Sequence, residues 1–133
     1  MSHFSLIKIK IKNPNVSLLK KTVEQIAKEL NGTIVTEIVD YNRNVRTAGS
    51  DFIVGMKNDV FHRGVGIAVN KDGEVELIGD FWNIPQSEIQ KLQQLLVQYY
   101  AKNAMTLALS QLNYHVQETK QSDKILIVAE AII

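Results

Sequence analysis

Arginine is confined to one stretch of the sequence, whereas lysine occurs from end to end. The chain of 133 residues has twelve lysines but three arginines, Arg43, Arg46 and Arg63. A guanidinium group offers a rigid fork of donors that fits a carboxylate or a phosphate, while lysine offers a mobile point charge. The pattern therefore predicts a contact with an anion or an acidic partner. The alternative is that one or two arginines form internal ion pairs, for example with Asp80 or Glu37, and fix the loop.

The single tryptophan, Trp82, is the second candidate for a binding role. It follows Phe81 at the end of a predicted strand, where an indole either anchors the sheet in the core or projects as a contact for a partner. A projecting indole would also stack on a nucleic acid base. Tyr41 is expected to shape the arginine-bearing loop. The predicted partner- or anion-binding residues are Tyr41, Arg43, Arg46, Thr47, Arg63 and Trp82.

The sequence carries no recognisable catalytic or metal-binding motif. The chain has no cysteine, which excludes disulfides, thiolate ligands and cysteine nucleophiles. Its three histidines, His3, His62 and His115, show none of the close spacings that place two metal ligands on one helix or turn. The segment 62–66 has two glycines but lacks the lysine of a phosphate-binding loop. We predict no catalytic residue, no metal site and no cofactor.

The composition indicates one ordinary globular domain over residues 1–133. With 45% apolar and 22% charged residues, the chain can form one hydrophobic core. The net charge of +1 gives no general attraction to nucleic acid or to an anionic membrane. No apolar run approaches the ~20 residues that span a bilayer, and the first residues lack the pattern of a secretory signal. We therefore expect a cytoplasmic protein without membrane association.

Hydrophobic periodicity predicts the strands and helices that position these residues. Ile7, Ile9 and Ile11 alternate with lysines, which is typical of a strand with one buried face. Apolar residues at three-to-four spacing over 16–30 predict a helix that Asn31-Gly32 ends. Further strands are predicted over 33–39, 52–56, 65–70, 74–80, 114–119 and 125–129, with a tight turn at Gly73 between the fourth and fifth strands.

A second, longer helix is predicted to begin near Pro85. Nearly all of its residues from Leu92 to Leu109 are apolar, apart from one narrow polar stripe. Such a helix must bury more than one face, so we expect a homodimer or a partner complex that uses Leu95, Tyr99 and Leu109. The polar stripe consists of Lys91, Gln94, Gln98, Lys102, Thr106 and Ser110.

These elements predict an α+β fold. The expected order is β-α-β-β-β-β-α-β-β, with a single antiparallel sheet and both helices packed on one of its faces.

Three stretches of the chain carry a family resemblance. They are Met1 to Lys8, Tyr41 with the later Arg46-Thr47-Ala48, and Glu76 to Trp82, which ends in Asp80-Phe81-Trp82. In these stretches the chain resembles the hypothetical chloroplast reading frame 35 family, which occurs in algal plastids, cyanobacteria and other prokaryotes. Two features depart from the family pattern: Asp40 stands where a glycine is expected, and the segment 51–63 does not align.

The resemblance implies a soluble companion protein whose family has no assigned biochemical activity. Relatives encoded beside AAA-type ATPases further imply an accessory or adaptor role. Our first hypothesis is therefore a non-catalytic interaction protein rather than an enzyme. A second is a nucleic-acid (RNA) binding module in which the arginines and Lys57 contact phosphates. A third is a small-ligand-binding protein or an enzyme without a recognisable motif. A salt titration of binding distinguishes the first two hypotheses. Nucleic acid binding weakens steeply as the salt concentration rises, whereas a contact between apolar protein surfaces should not.

Overall fold

The computed structural model describes residues 5–40 and 42–132, so the predicted site residue Tyr41 lies outside the described residues. The described chain has an α+β fold with two helices. Its elements are β1 (Ser5–Lys12), α1 (Val16–Glu29), β2 (Thr33–Val35), β3 (Glu37–Val39), β4 (Val45–Thr47), β5 (Val54–Lys57), β6 (Val65–Val69), β7 (Glu74–Gly79), α2 (Gln86–Gln111), β8 (Tyr114–Gln121) and β9 (Lys124–Ala131).

Five strands form a central antiparallel sheet in the order β1-β7-β6-β5-β2. The main core joins one face of this sheet to both helices. Ile9 of β1 and Leu77 of β7 share this core with Leu19 of α1 and Leu96 of α2. The predicted burial of Ile9 is confirmed, because the isoleucines of β1 face the helices while the alternating lysines of the strand face solvent.

The prediction of a single sheet is wrong. The predicted strand over 33–39 bends at Thr36, between β2 and β3, and β3 then pairs with β4 as a separate ribbon. This ribbon covers the second face of the central sheet. Ile38 of β3 and Phe52 bury Ala68 and Ile78, which form a smaller core on that face. Without the ribbon these apolar residues would face water, so burying them favours the bend over one continuous strand.

The helix ends follow their capping residues. Asn15 accepts a hydrogen bond from the amide of Leu18 at 3.1 Å, which satisfies one of the free amides at the start of α1. Asn31 takes a left-handed φ of 56°, and the Gly32 amide donates to the Ala27 carbonyl at 2.7 Å. The predicted left-handed end of the first helix is therefore confirmed, and the left-handed residue is the asparagine.

The second helix is longer than the sheet that it covers. Its 26 residues extend about 39 Å, and all its fully buried side chains lie in the part up to Asn103. The hairpin of β8 and β9 packs along α2 and forms a sheet of its own. Much of the predicted polar stripe faces this hairpin. Gln98 donates to the Asp123 carbonyl at 2.7 Å, and Lys102 lies 3.3 Å from Glu118.

Tyr99 connects the hairpin to both helices. Its hydroxyl donates to Glu29 at the end of α1 at 2.5 Å and accepts from Lys120 of β8 at 2.7 Å. Lys120 also pairs with Glu29 directly. Burial raises the pKa of Tyr99, so the hydroxyl stays protonated and remains a donor.

Candidate functional site

Arg63 and Asp80 form an ion pair at one end of the central sheet. Arg63 lies just before β6 and Asp80 just after β7, and the antiparallel pairing of these strands brings the two residues together. Arg63 Nη1 donates to Asp80 Oδ2 at 2.7 Å. The Asp80 side chain is 4% exposed, whereas the Arg63 side chain is 39% exposed. Arg63 therefore compensates a buried carboxylate while part of its guanidinium remains at the surface.

Trp82 projects beside this ion pair. Its backbone amide donates to the other Asp80 oxygen, Oδ1, at 3.0 Å, so that Asp80 holds both Arg63 and the tryptophan. Trp82 is 50% exposed, while its neighbour Phe81 is buried and meets Phe61 edge to face with ring centroids 6.4 Å apart. The interpretation of Trp82 as a core anchor is therefore wrong, because Phe81 occupies that position.

A cavity of about 310 Å³ lies at this corner of the sheet. It is lined by His62, Arg63, Asp80, Trp82 and Asn83, and we call these residues the Trp82 surface. Asn83 has a left-handed φ of 67°, at the point where the chain turns from β7 towards α2. The surface combines an indole with a partly exposed guanidinium and an imidazole. This combination is typical of protein-binding sites, in which tryptophan and arginine are enriched.

Arg46 also faces a buried carboxylate. Its Nη2 and Nε lie 3.3 and 3.4 Å from Asp40 Oδ2, and the Asp40 side chain is 3% exposed. Burial on its own would raise the pKa of Asp40. Backbone hydrogen bonds from Asn44 and Asn42, together with the contact to Arg46, outweigh that effect and hold the pKa below its usual value of 3.8. This geometry fits the interpretation of Arg46 as an internal ion-pair partner that fixes the loop.

Arg43 and Thr47 lie on the same loop and ribbon but do not line the cavity. Arg43 is exposed at a left-handed φ of 63°, and its amide donates to the Asp40 carbonyl at 3.0 Å. The Thr47 amide donates to Asp51 Oδ2 at 2.9 Å. Of the described residues in the predicted set, the structure therefore brings Arg63 and Trp82 together in one cavity.

Close packing at Gly64 places the β3–β4 ribbon beside the Trp82 surface. The Val39 amide donates to the Arg63 carbonyl at 2.9 Å, so β3 runs alongside the segment that carries Arg63. Gly64 has a left-handed φ of 87°, and a Cβ at this position would lie 2.7 Å from Ile38 Cγ2. Only glycine therefore allows this approach of the two segments without rearrangement.

Sequence reasoning missed the partner of Arg46 and two residues of the cavity. Asp40 stood out in the sequence only as a departure from the family pattern. An aspartate followed by Asn42 and Asn44 is nevertheless a signal for a turn in which the aspartate side chain accepts hydrogen bonds from backbone amides. His62 and Asn83 carried no such signal, since their place in the cavity depends on the pairing of β6 with β7.

The second helix does not present the surface predicted for self-association. Tyr99 is buried, Leu95 packs against the main core and Leu109 is half-buried. The exposed large apolar residues of α2 are instead Val97, Met105 and Leu107. Tyr99 is therefore not exposed to a partner, because α1 and the β8–β9 hairpin pack against this part of the helix, and self-association through the second helix stays a prediction.

Comparisons of the chain with known protein families, curated proteins and solved structures found no match. The resemblance to the chloroplast reading frame 35 family therefore stays a prediction from the quoted residues. In the described ranges, no group of three or more His, Asp or Glu side chains is arranged so that it could hold a metal ion. No helix of the described chain has the length and apolar character needed to cross a membrane.

Proposed function

We propose that the protein is a non-catalytic interaction protein whose Trp82 surface binds a protein partner. The observation that carries the proposal is the half-exposed indole of Trp82, on a backbone that the buried Asp80 carboxylate holds beside Arg63. An indole on a backbone fixed in this way presents a large apolar area and has only two side-chain torsions to order on binding. A tryptophan next to an arginine is also the combination in which binding energy is most often concentrated at interfaces.

The partner is expected to offer an apolar side chain and a hydrogen-bond acceptor. Arg63 directs Nη1 to Asp80, and the exposed side of its guanidinium has further N–H groups for a carbonyl or carboxylate of the partner. Because Asp80 already balances the charge of Arg63, binding should depend weakly on salt. The family resemblance adds the proposal that this partner belongs to an AAA-type ATPase assembly.

Nucleic acid binding is the second candidate, and the exposed indole favours it because indoles stack on bases. The charges favour it less. Arg46 and Arg63 each face a buried carboxylate, so this corner offers little net positive charge to a phosphate backbone.

Affinity capture from the cells that produce the protein tests the proposal. The key variant is Trp82→Ala, and the matched control is Ile34→Ala, a similarly exposed apolar residue on the edge strand β2. We expect Trp82→Ala to reduce recovery of the bound protein at least about ten-fold and Ile34→Ala to leave it unchanged. Circular dichroism of both variants establishes that they are folded.

The capture is repeated at about 0.1 M and about 0.5 M salt, and both protein and nucleic acid in the bound fraction are identified. Protein recovered at both concentrations supports the proposal. Full recovery by Trp82→Ala contradicts it. If nucleic acid is captured by the wild type but not by Trp82→Ala, and is lost at the higher salt concentration, the second candidate would be established instead.

A further inference from the structure

The C-terminal part of the chain forms an arm that is separate from the central sheet. We define the arm as the last two turns of α2 together with the hairpin of β8 and β9, which pair with no other described strand. Seven of the thirteen large apolar residues that are exposed in the described chain lie between Met105 and Ile132. A two-stranded hairpin is marginal in water, and open strand edges with apolar side chains favour pairing with another strand.

The two strands of the hairpin differ in their side-chain contacts. In β8, Lys120 contacts Glu29 and Tyr99, and Glu118 contacts Lys102 and Thr106, so polar side chains attach this strand to the helices. Among the described residues, the side chains of β9 make no such ion pair or hydrogen bond, although Ile125 packs against the main core. The charged side chains of β9, Lys124 and Glu130, are therefore the ones available to a partner strand.

We propose that β9 pairs with β9 of a second copy of this chain, antiparallel and centred on Ile127. The strand sequence is self-complementary in this register. Lys124 of one copy lies opposite Glu130 of the other at both ends of the ladder. Leu126, which is 49% exposed, lies opposite Val128, which is 45% exposed. A two-fold axis through Ile127 thus matches charge with opposite charge and apolar with apolar.

The backbone of the hairpin is arranged for this register. A two-residue turn at 122–123 joins Gln121 to Lys124, and such a turn is closed by a hydrogen-bonded pair. The alternation of an antiparallel ladder then directs the amide and carbonyl groups of Ile125, Ile127 and Ala129 away from β8. Around the proposed axis, Ile127 meets Ile127 and Ile125 meets Ala129, so the outward groups of the two copies bond to each other.

Charge decides between this register and its neighbours. Centring the pair on Leu126 would put Lys124 opposite Val128, and centring it on Val128 would put Leu126 opposite Glu130. Both neighbouring registers place a charge against an apolar side chain, and the centre at Ile127 does not. The paired copies would form a four-stranded sheet in which each β8 is an outer strand.

This dimer is expected to be weak. Two eight-residue strands bury less than the ~800 Å² per partner of a standard stable interface, so we expect a micromolar dissociation constant. The proposal does not depend on the Trp82 surface, which lies at the end of the central sheet.

Sedimentation analysis of the full chain across a range of concentrations tests the pairing. We expect Lys124→Glu alone, or Glu130→Lys alone, to raise the dissociation constant about ten-fold, because each places like charges opposite one another twice per dimer. The double variant Lys124→Glu with Glu130→Lys exchanges the two charges and is expected to restore the wild-type dissociation constant. Trp82→Ala is the control, and it should dimerise like the wild type.

Ala129→Pro provides a second, backbone test. Its missing N–H faces the open edge in the single chain, where proline is tolerated, but it removes two hydrogen bonds from the paired strands. We expect this variant to stay monomeric and folded, as its circular dichroism can establish. A wild-type protein that remains monomeric at several hundred micromolar would overturn the proposal. A dimer that tolerates Ala129→Pro, or whose affinity is unaffected by the two single charge reversals, would also overturn it.

Discussion

Two regions of the molecule use charge in opposite ways. One is the corner of the central sheet with the adjoining β3–β4 ribbon, which carries Arg46 and Arg63, and the other is the C-terminal arm. At the corner, Arg46 and Arg63 each face an aspartate whose side chain is at most 4% exposed. Where the arm meets the helices, the acidic partners of Lys102 and Lys120, which are Glu118 and Glu29, are 36% and 31% exposed. Desolvated carboxylates make the corner pairs part of the fold, whereas water screens the arm pairs and leaves them individually weak. Polar substitutions should therefore cost stability at the corner and mainly affect the position of the hairpin in the arm.

The largest expected effect contrasts the two halves of α2. Leu96→Ala removes a fully buried side chain from the main core, and we expect it to lower the free energy of unfolding by about 3 kcal/mol. The matched substitution Leu107→Ala, in the exposed half of the same helix, should change it by less than about 0.5 kcal/mol. Urea unfolding at low protein concentration measures both. Similar losses in the two variants would mean that the arm is packed as tightly as the core.

The next largest loss of stability is expected at the corner of the central sheet, where Arg63 pairs with Asp80. Arg63→Ala leaves the buried Asp80 carboxylate with the hydrogen bond from the Trp82 amide but without its ion-pair partner, and we expect a loss of about 1–3 kcal/mol in the free energy of unfolding. Arg43→Ala, at an exposed position, should change it by less than about 0.5 kcal/mol. Chemical denaturation compares the two variants. If Arg63→Ala were as mild as Arg43→Ala, water would have to reach Asp80, and the distinction between corner and arm would fail.

Arg46→Ala should fall between these two variants. Its contacts with Asp40 are 3.3 and 3.4 Å long, against 2.7 Å between Arg63 and Asp80, and Asp40 keeps its backbone hydrogen bond from Asn44. The same denaturation series measures it. A stability like that of Arg43→Ala would favour the predicted outward contact of Arg46 over the internal pair.

Local patterns in the sequence predicted the regular elements well. The alternation of Ile7, Ile9 and Ile11 identified β1, and the turn at Gly73 placed β6 and β7 correctly. The short ribbon was not predicted because three residues are too few to show a period, so β4 at Val45–Thr47 was read as part of a loop. The strands β8 and β9 were predicted, but their separation from the central sheet was not, because it depends on how α2 is placed against the sheet, which no local pattern records.

The candidate site was predictable in its residue types but not in its pairings. The proposed internal partner Asp80 does bind an arginine, and this arginine is Arg63. The sequence does not indicate which of the two adjacent aromatic residues enters the core, where Phe81 packs against Phe61 while Trp82 is exposed. Such competition between neighbours is decided by tertiary packing.

A smaller effect is expected where the arm meets α1. Tyr99→Phe removes the hydroxyl that donates to Glu29 and accepts from Lys120, and we expect a loss of about 1 kcal/mol. Hydrogen exchange should locate the effect, with faster exchange of the β8 and β9 amides and unchanged exchange in the central sheet. Tyr114→Phe, in the exposed part of the arm, is the control. Faster exchange throughout the sheet would show that the arm and the core unfold as one unit.

The smallest effect is the dependence of stability on acid at the corner. The folded pKa of Asp40 lies below its usual value of 3.8, so the folded state favours the carboxylate and gains stability at pH values above that value. This contribution is lost as the pH falls through the folded pKa, and Asp40→Asn should remove it. Urea midpoints measured from about pH 6 to about pH 3 should therefore fall less steeply for Asp40→Asn than for the wild type.

Some dependence on pH should remain in Asp40→Asn, because the pKa of Glu74 is also lowered, by a hydrogen bond from Asn70 and by the charge of Lys8. Glu74→Gln is thus the comparison for a partly exposed carboxylate outside the corner. If Asp40→Asn followed the wild-type slope while Glu74→Gln flattened it, the acid sensitivity would belong to the pair of Lys8 and Glu74, and Asp40 would have no special role.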